Sequence, residues 1–360
     1  MKKFNALATS SKIAICGLPL RVDSYKFCTF GCKYCFSNGR IVGEVSKFIQ
    51  VADVNNFEKT LHKVHKESKI NPDSLVENLL NEDITLHWGG CSDPFQPIEG
   101  KLGITKQLVD ISNKYNKSVL FSTKSDTVYG CNIDPNLHSF QLSFTSTSTN
   151  SNLEPNVPSF ENRINFYKTL KSNGFKVGIR VQPFIPGITT DELVGIFSDA
   201  DYFTIEGLKL VPQNKEQRNF VYNELGLPVE LFTQKGLLNL KSEVRCNLYG
   251  TFIEKLNYYN IPFSIADNDM RYITSSKCCC GEPLVKKSTN FNTTAMLYKY
   301  DGKYSLEDVF NECGECILNS RAKHLFTSNR VGDCITLKDF YIERFDKKIS
   351  PFSPKFQVNS

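Results

Sequence analysis

A chain of 360 residues is long enough for one large domain or for a domain with an appendage, because single cores stop growing at roughly 250 to 300 residues. With 40% hydrophobic, 12% aromatic and 22% charged residues, the composition excludes disorder, collagen-like repeats and coiled coil. No window holds the roughly 18 uninterrupted apolar residues of a membrane helix, and Ser10, Ser11 and Lys12 interrupt the apolar stretch near the N-terminus. We therefore expect a cytoplasmic protein with no membrane partner.

Two features of the composition are unevenly distributed along the chain, the positive charge and the cysteines. The net charge is only +5, but residues 1–70 hold 12 Lys and Arg against 5 Asp and Glu. This local charge suits an anionic partner, although a solvated basic face is the commoner explanation. Of the 13 cysteines, eight fall into three tight groups, which are Cys28 with Cys32 and Cys35, Cys278 to Cys280, and Cys313 with Cys316. Grouped thiols in a reducing compartment indicate metal ligation.

Taken in chain order, the predicted elements alternate between strand and helix from about residue 13 to about residue 265. The patterns predict strands at 84–88, 118–123, 139–145, 176–183, 202–210 and 262–266, and helices at 105–115, 159–173 and 190–198. This alternation is typical of an α/β fold with a parallel sheet, which binds ligands at the carboxyl ends of its strands. It stops near residue 275, so we expect a core domain at 1–275 and a Cys-rich C-terminal extension at 276–360.

The first cysteine group has the spacing C-x3-C-x2-C, formed by Cys28, Cys32 and Cys35. Gly31 lies inside it and permits the positive φ that a short loop around a cluster needs. Three thiolates leave one iron of a [4Fe-4S] cluster without a protein ligand, and an open coordination position is where a metal site performs chemistry. The alternatives are a zinc site completed from elsewhere, whose ligands usually come as two separated pairs, and chance spacing.

These residues, with five further motifs in the same order, are similar to the radical SAM superfamily and within it to the spore photoproduct lyase-like branch. The resemblance covers roughly residues 20–210. It implies a partial (β/α)6 radical SAM barrel, a [4Fe-4S] cluster that chelates S-adenosylmethionine (SAM), and reductive cleavage of SAM to a 5'-deoxyadenosyl radical that abstracts hydrogen. The further motifs are 88–99 (WGGCSDPFQPIE), 122–125 (STKS), 153–155 (LEP), 159–163 (SFENR) and 183–187 (PFIPG).

The resemblance places the methionine end of SAM against the turn that follows a predicted strand. Gly89 and Gly90 allow close approach of the backbone to the SAM amino group, and Asp93 is an acceptor nearby. Both glycines can also be explained as ordinary turn residues.

Four more candidates come from the ends and faces of later strands. Lys124 is expected to pair with the SAM carboxylate, and Ser143 to hydrogen-bond the same group. Arg180 and Gln182 are two positions apart on one strand and therefore share a face. Both are expected to point into the barrel, toward the ribose or the substrate. Lys124 can instead be a surface lysine, and Arg180 a structural ion-pair partner.

Cys91 and Tyr34 are the candidate catalytic residues that the resemblance implies. In spore photoproduct lyase a cysteine of this stretch donates hydrogen to the thymine radical, assisted by two tyrosines around the last cluster cysteine. Cys91 lies one residue later than that donor, and Phe36 stands where the second tyrosine would be. A shift of one residue on an extended segment turns a side chain to the other face, so Cys91 can also be a buried small hydrophobe.

The C-terminal cysteines form a candidate second metal site. Cys278 and Cys280 with Cys313 and Cys316 offer two pairs of thiolates, the second at C-x2-C spacing. Zinc and a second iron-sulfur cluster are both compatible with four thiolates. Buried cysteines without a metal are the alternative, and Cys334 can replace any one ligand.

The function that the resemblance implies is a radical SAM enzyme acting on a nucleic acid base, as in repair of damaged DNA. Its partners would be nucleic acid and an electron donor such as flavodoxin or ferredoxin. A radical SAM enzyme acting on a peptide or a small metabolite is the first alternative. The second is a non-catalytic, metal-dependent nucleic-acid-binding protein in which the cysteine groups are structural.

Overall fold

The computed structural model describes residues 1–10, 16–39, 50–234, 236–267, 269–270, 273, 275, 280–289, 291, 294–295, 304–322 and 336–345. Within these ranges no helix is long and apolar enough to cross a membrane.

Strands and helices alternate along most of the described chain. The strands are Lys3–Phe4 (β1), Leu7–Thr9 (β2), Leu20–Val22 (β3), Val51–Ala52 (β4), Leu86–Trp88 (β5), Val119–Thr123 (β6), His138–Ser143 (β7), Val177–Phe184 (β8), Tyr202–Gly207 (β9), Lys209–Leu210 (β10), Leu238–Asn239 (β11) and Phe263–Ile265 (β12). The helices are Phe36–Gly39 (α1), Val54–His65 (α2), Leu75–Asn81 (α3), Glu99–Leu102 (α4), Ile104–Lys114 (α5), Phe160–Ser172 (α6), Glu192–Ile196 (α7), Lys215–Asn219 (α8), Ser242–Tyr258 (α9), Leu306–Cys313, Glu315–Leu318 and Leu337–Phe345. Short turns of π and 3-10 helix lie at Phe220–Glu224, Val229–Leu231 and Glu282–Leu284.

The central sheet has the strand order β12-β9-β8-β7-β6-β5-β3-β2 in the described chain. Its strands from β3 to β12 pair in parallel, and β2 adds to one edge as an antiparallel strand. The parallel strands are adjacent in the order in which they occur along the chain. The predicted α/β fold with a parallel sheet is therefore confirmed.

The predicted strands all correspond to strands of this sheet. The strand predicted at 202–210 is divided into two: β9 ends at Gly207, and β10, at Lys209–Leu210, pairs antiparallel with β11 outside the central sheet. The predicted helix at 190–198 is shorter than expected and runs from Glu192 to Ile196.

The two faces of the sheet differ in polarity, and this difference positions the site. On the outer face, side chains such as Phe121, Phe140 and Ile179 are fully buried in the core beneath the helices. The opposite face, here called the inner face, carries polar residues that the parallel register places side by side: Ser122 beside Gln141, and Ser143 beside Arg180. Since side chains alternate along a strand, this pattern gives one face to packing and the other to a ligand.

The described parts of the C-terminal region pack on the same core as the sheet. The amide of Thr85 donates to the carbonyl of Lys287 at 2.9 Å, and Asn78 donates to the hydroxyl of Ser320 at 2.8 Å. Leu337 lies in the same buried cluster as the strands. The domain boundary near residue 275 stays a prediction.

Candidate cofactor site

The loop that carries Cys28, Cys32 and Cys35 follows β3, at the carboxyl end of the sheet. Gly31 has a φ of +67°, and the amide of Cys35 donates to the carbonyl of Cys32 at 3.0 Å, so the loop turns tightly between its thiols. The left-handed conformation of Gly31 is the one for which glycine was predicted.

Two outside segments hold this loop. The fully buried Gln96 accepts from the amide of Thr29 at 2.7 Å and donates to the carbonyl of Phe27 at 2.9 Å. From the other side, Leu153 accepts from the amide of Lys33 at 3.1 Å. The side chain and the backbone amide of Asn156 also donate to loop carbonyls, at 3.1 and 3.2 Å. The loop is thus fixed by hydrogen bonds to its backbone, and these bonds do not involve its thiols.

The three thiols are half-buried and lie close enough to interact electrostatically, since Cys28 and Cys32 each do so with Cys35. Burial raises the pKa of Cys28, and it raises that of Cys32 to about 12, so ionisation here needs a cation. Within the described ranges no three His, Cys, Asp or Glu side chains converge on a single ion. A four-iron cluster takes each thiolate on a different iron, so three thiolates on one loop are a donor set that fits a cluster with one iron left open.

Beside the loop lies a buried charge cluster centred on Glu154. Its Oε1 atom lies 2.9 Å from Lys124 Nζ and accepts from the hydroxyl of Thr145 at 3.1 Å, while Oε2 lies 3.4 Å from Arg163. The hydroxyl of Tyr34, between the second and third cluster cysteines, also donates to Oε1. Glu154 therefore connects the cysteine loop to the residue that follows β6.

Two neighbouring cations keep Glu154 ionised. Burial would raise the pKa of Glu154, but Lys124 and Arg163 outweigh it and hold that pKa at about 2. Asp93, whose carboxylate interacts with Lys124 as well, is a second anion of this region, so two cations face two carboxylates. The pairing of Lys124 with the SAM carboxylate stays a prediction.

Asp93 joins the turn after β5 to the end of β6. Its carboxylate accepts from the hydroxyl of Thr123 at 2.7 Å and from the amides of Lys124 and Phe95 at 2.7 and 2.9 Å. Burial raises the pKa of Asp93 to about 6. The contacts make Asp93 a residue that positions Lys124, in addition to the acceptor that the sequence predicts.

Gly89 and Gly90 lie where neighbouring groups approach most closely. Gly89 has a φ of +101°, and a Cβ atom there would lie 2.2 Å from the carbonyl oxygen of Ser122. At Gly90 a Cβ atom would lie 2.7 Å from the side chain of Arg21. Packing alone accounts for both glycines, and their role toward SAM stays a prediction.

Cys91 and Ser143 lie at the same end of the sheet. The amide of Cys91 donates to Asp23 at 3.0 Å and its carbonyl accepts from Ser37, which follows the cysteine loop. Ser143 is buried at the end of β7, and its carbonyl accepts from Arg163 at 2.8 Å. The structure thus brings the candidate residues of the loop, β5, β6 and β7 to one region.

On the inner face, Arg180 and Gln182 interact with each other. Arg180 Nε donates to Gln182 Oε1, and Arg180 Nη1 donates to Gln141 Oε1 at 3.1 Å. Gln182 Nε2 in turn donates to Glu206, which pairs with Lys209. Both predicted residues therefore lie on the face that the sequence predicts, within a polar network that crosses several strands.

The C-terminal cysteines do not form a metal site within the described residues. Cys280 is buried, and its carbonyl accepts from Gln141 at 2.8 Å. Cys313 is buried and burial raises its pKa, whereas Cys316 is exposed. Cys278 lies outside the described residues, and a second metal site stays a prediction.

Sequence reasoning missed four residues that hold the site together, which are Asp23, Gln96, Gln141 and Glu154. Two of them, Gln96 and Glu154, lie inside motifs that carry the resemblance. Buried polar side chains must find partners, which is a signal that each one has a role, but each of these four has at least one partner tens of residues away in sequence.

No family profile matches the chain. An uncharacterised protein of Methanocaldococcus jannaschii is 26% identical over 221 residues, which is 58% of this chain and 78% of that protein. Among solved structures, a cysteine-to-alanine variant of spore photoproduct lyase with a dinucleoside spore photoproduct aligns with a TM-score of 0.52 at 16% identity, over 67% of this chain and 74% of that one. A tyrosine-to-phenylalanine variant of the same lyase aligns with a TM-score of 0.52 at 16% identity, over 72% and 78%.

These structures define the class of fold. The chain has a radical SAM fold, and its arrangement is similar to that of spore photoproduct lyase. The fold predicted from the cysteine spacing and the five motifs is thereby confirmed.

Proposed function

We propose that the protein is a radical SAM enzyme that cleaves SAM reductively and abstracts hydrogen from a nucleic acid base, in the manner of spore photoproduct lyase. One observation carries the proposal. The three-thiol loop, the glycine turn after β5 and the charge cluster of Lys124, Arg163 and Glu154 meet at the carboxyl end of the sheet.

The residues present fit both cofactors. Cys28, Cys32 and Cys35 would hold a [4Fe-4S] cluster, and Gly89, Gly90, Lys124 and Ser143 would seat SAM. When bound, these groups supply a 5'-deoxyadenosyl radical, with the electron coming from a donor such as flavodoxin or ferredoxin.

The chain's own residues position Lys124 and the cysteine loop. Asp93 fixes the backbone at Lys124, Glu154 holds the Lys124 ammonium, and Gln96 with Asn156 fixes the loop. Cys91, half-buried beside the loop, is the proposed hydrogen donor, and Tyr34 its proposed assistant. Since Asp93, Glu154, Gln96 and Asn156 all have partners before any ligand binds, this part of the site is preorganised.

The substrate half of the proposal rests on the dinucleoside spore photoproduct named in the aligned structure and on the local positive charge of residues 1–70. Its test is an anaerobic incubation of the reconstituted protein with SAM, dithionite and a dinucleotide spore photoproduct. We expect thymine restored in the wild type and little or none with Cys91→Ala, while both proteins form 5'-deoxyadenosine.

Deoxyadenosine formation without repair by the wild type would contradict the nucleic-acid substrate and favour a peptide or small metabolite. Binding to ultraviolet-irradiated duplex no tighter than to undamaged duplex, at one stated salt concentration, would have the same meaning.

A further inference from the structure

The inner face carries a cation that the proposed cofactor site does not use. Arg180 is half-buried, although its strand neighbours Ile179 and Val181 are fully buried. Its guanidinium therefore reaches the solvent-accessible side of the sheet, at the strand next to Ser143.

The partners of Arg180 are neutral. Gln182 and Gln141 supply amide oxygens, and in the described chain no carboxylate lies within ion-pair distance of its guanidinium. The carboxylate of Glu206 enters the network only through Gln182 and is already paired with Lys209. Other cations near this face differ, since each of them pairs directly with a carboxylate: Arg21 with Asp23, Lys124 with Glu154, and Lys209 with Glu206.

The two amides can present only their oxygens to Arg180. Gln141 Nε2 donates to the hydroxyl of Thr204 at 3.0 Å and to the carbonyl of Cys280 at 2.8 Å. Gln182 Nε2 donates to Glu206. Because both amide nitrogens are engaged, both oxygens are fixed toward the guanidinium.

This arrangement fixes the orientation of the guanidinium but leaves its positive charge without a counter-ion among the described residues. Within the described chain, the amide oxygens engage two of the five N–H donors of Arg180, and the other three are available to a ligand. A planar guanidinium with donors to spare binds an oxyanion through two parallel hydrogen bonds.

We infer that Arg180 binds the phosphodiester oxyanion of a nucleotide substrate, one strand away from the SAM seat. The inference rests on the proposed function for the nature of the substrate. It assigns Arg180 to the substrate, whereas the sequence leaves the choice between the SAM ribose and the substrate open. Specificity for a phosphate-linked substrate would then come from this one side chain.

The test compares two probes that differ only in the charge of the linkage, thymidylyl-(3'→5')-thymidine and its neutral methylphosphonate analogue. Their dissociation constants are measured with the full-length protein at one salt concentration, for the wild type, Arg180→Gln, Arg180→Lys and the control Arg321→Gln. Arg321 is an exposed arginine paired with Asp73, so its replacement removes one positive charge elsewhere. Thermal unfolding of each variant reports on folding.

We expect the wild type and the control to bind the charged probe about tenfold or more tightly than the neutral one. Arg180→Gln should bind the two probes equally, and Arg180→Lys should retain part of the preference. Equal binding of both probes by the wild type, or an unchanged preference in Arg180→Gln, would overturn the inference.

A separate measurement covers the SAM site. Equilibrium dialysis with labelled SAM should give the same affinity for wild type and Arg180→Gln. A parallel loss of SAM binding would assign Arg180 to the cofactor and overturn the inference. Because probe binding needs no SAM cleavage, failure of the proposed function would show separately, as an absence of deoxyadenosine.

Discussion

Lys124 and Glu154 form a buried ion pair, with Nζ 2.9 Å from Oε1 and side-chain exposures of 13% and 5%. Through the same carboxylate oxygen, Glu154 also accepts from Tyr34 in the cysteine loop. The pair therefore connects the candidate cluster loop to the candidate SAM carboxylate site. An interaction this deeply buried affects both stability and function when one partner is removed.

Replacing Glu154 with Gln should lower the free energy of unfolding by about 3–5 kcal/mol, because Lys124 and Arg163 would stay buried without a counter-charge. Urea denaturation measures the change. The control is Glu224→Gln, which removes a half-exposed partner of Lys33 and should cost less than about 1 kcal/mol. Equal costs for the two variants would contradict the role of Glu154.

Replacing Cys32 with Ala should remove most of the bound iron and abolish SAM cleavage while leaving the fold intact. The loop is held by hydrogen bonds to Gln96, Leu153 and Asn156, and those contacts stay in place. Iron analysis and circular dichroism check the two parts. Cys246→Ala, which changes a half-buried cysteine on α9, should keep full iron content. Wild-type deoxyadenosine formation by the Cys32 variant would refute the ligand assignment.

Replacing Gly89 with Ala should destabilise the protein by more than about 2 kcal/mol, because a positive φ and a close backbone contact act together. The new Cβ would lie 2.2 Å from the carbonyl of Ser122. Gly250 is the matched control, since it lies within α9 with nothing within 4 Å of a new Cβ. There the same substitution should leave stability unchanged or raise it by up to about 1 kcal/mol. Thermal unfolding measures the stability of both variants. Similar losses of stability at the two positions would contradict the geometry at Gly89.

His138 should make stability depend on pH between about 4 and 6.5. Burial lowers its pKa from 6.5 to about 4. Its Nε2 lies 2.7 Å from the side-chain oxygen of Asn113, an acceptor, so Nε2 carries the hydrogen. The native state then resists a second proton that the unfolded state accepts below 6.5, so this contribution to stability is present above pH 6.5 and is lost as the pH falls toward 4.

The comparison is His138→Gln, which removes the titrating group. The stability advantage of the wild type should shrink by about 2 kcal/mol from pH 7 to pH 5, measured by urea denaturation at both values. Parallel pH profiles for the two proteins would show that His138 does not titrate as the structure indicates.

The sheet was predictable because its strands combine β-forming residues with a repeated spacing of helices. The division into faces followed as well, since Arg180 and Gln182 alternate on β8. The antiparallel edge strand β2 and the end of β9 at Gly207 depend on pairing between distant segments. Local propensity contains no information about such pairing.

The candidate site was predictable where chemistry is local, as in the three-cysteine loop. It was not predictable where partners meet across the fold. Glu154 meets Lys124 from 30 positions away, and Gln141 meets Cys280 from 139. Such contacts appear only when the strands are assembled, so sequence reasoning identified Lys124 but not the carboxylate that holds it.

The central claim is radical SAM chemistry, and one measurement tests it most directly. Anaerobically purified and reconstituted protein is assayed for iron, sulfide and dithionite-driven formation of 5'-deoxyadenosine, beside a Cys313→Ala/Cys316→Ala variant. We predict about four irons and deoxyadenosine in both proteins, or about eight irons falling to four in the variant if the C-terminal cysteines bind a second cluster. Absence of both iron and deoxyadenosine from the wild type would contradict the claim and favour a structural metal protein.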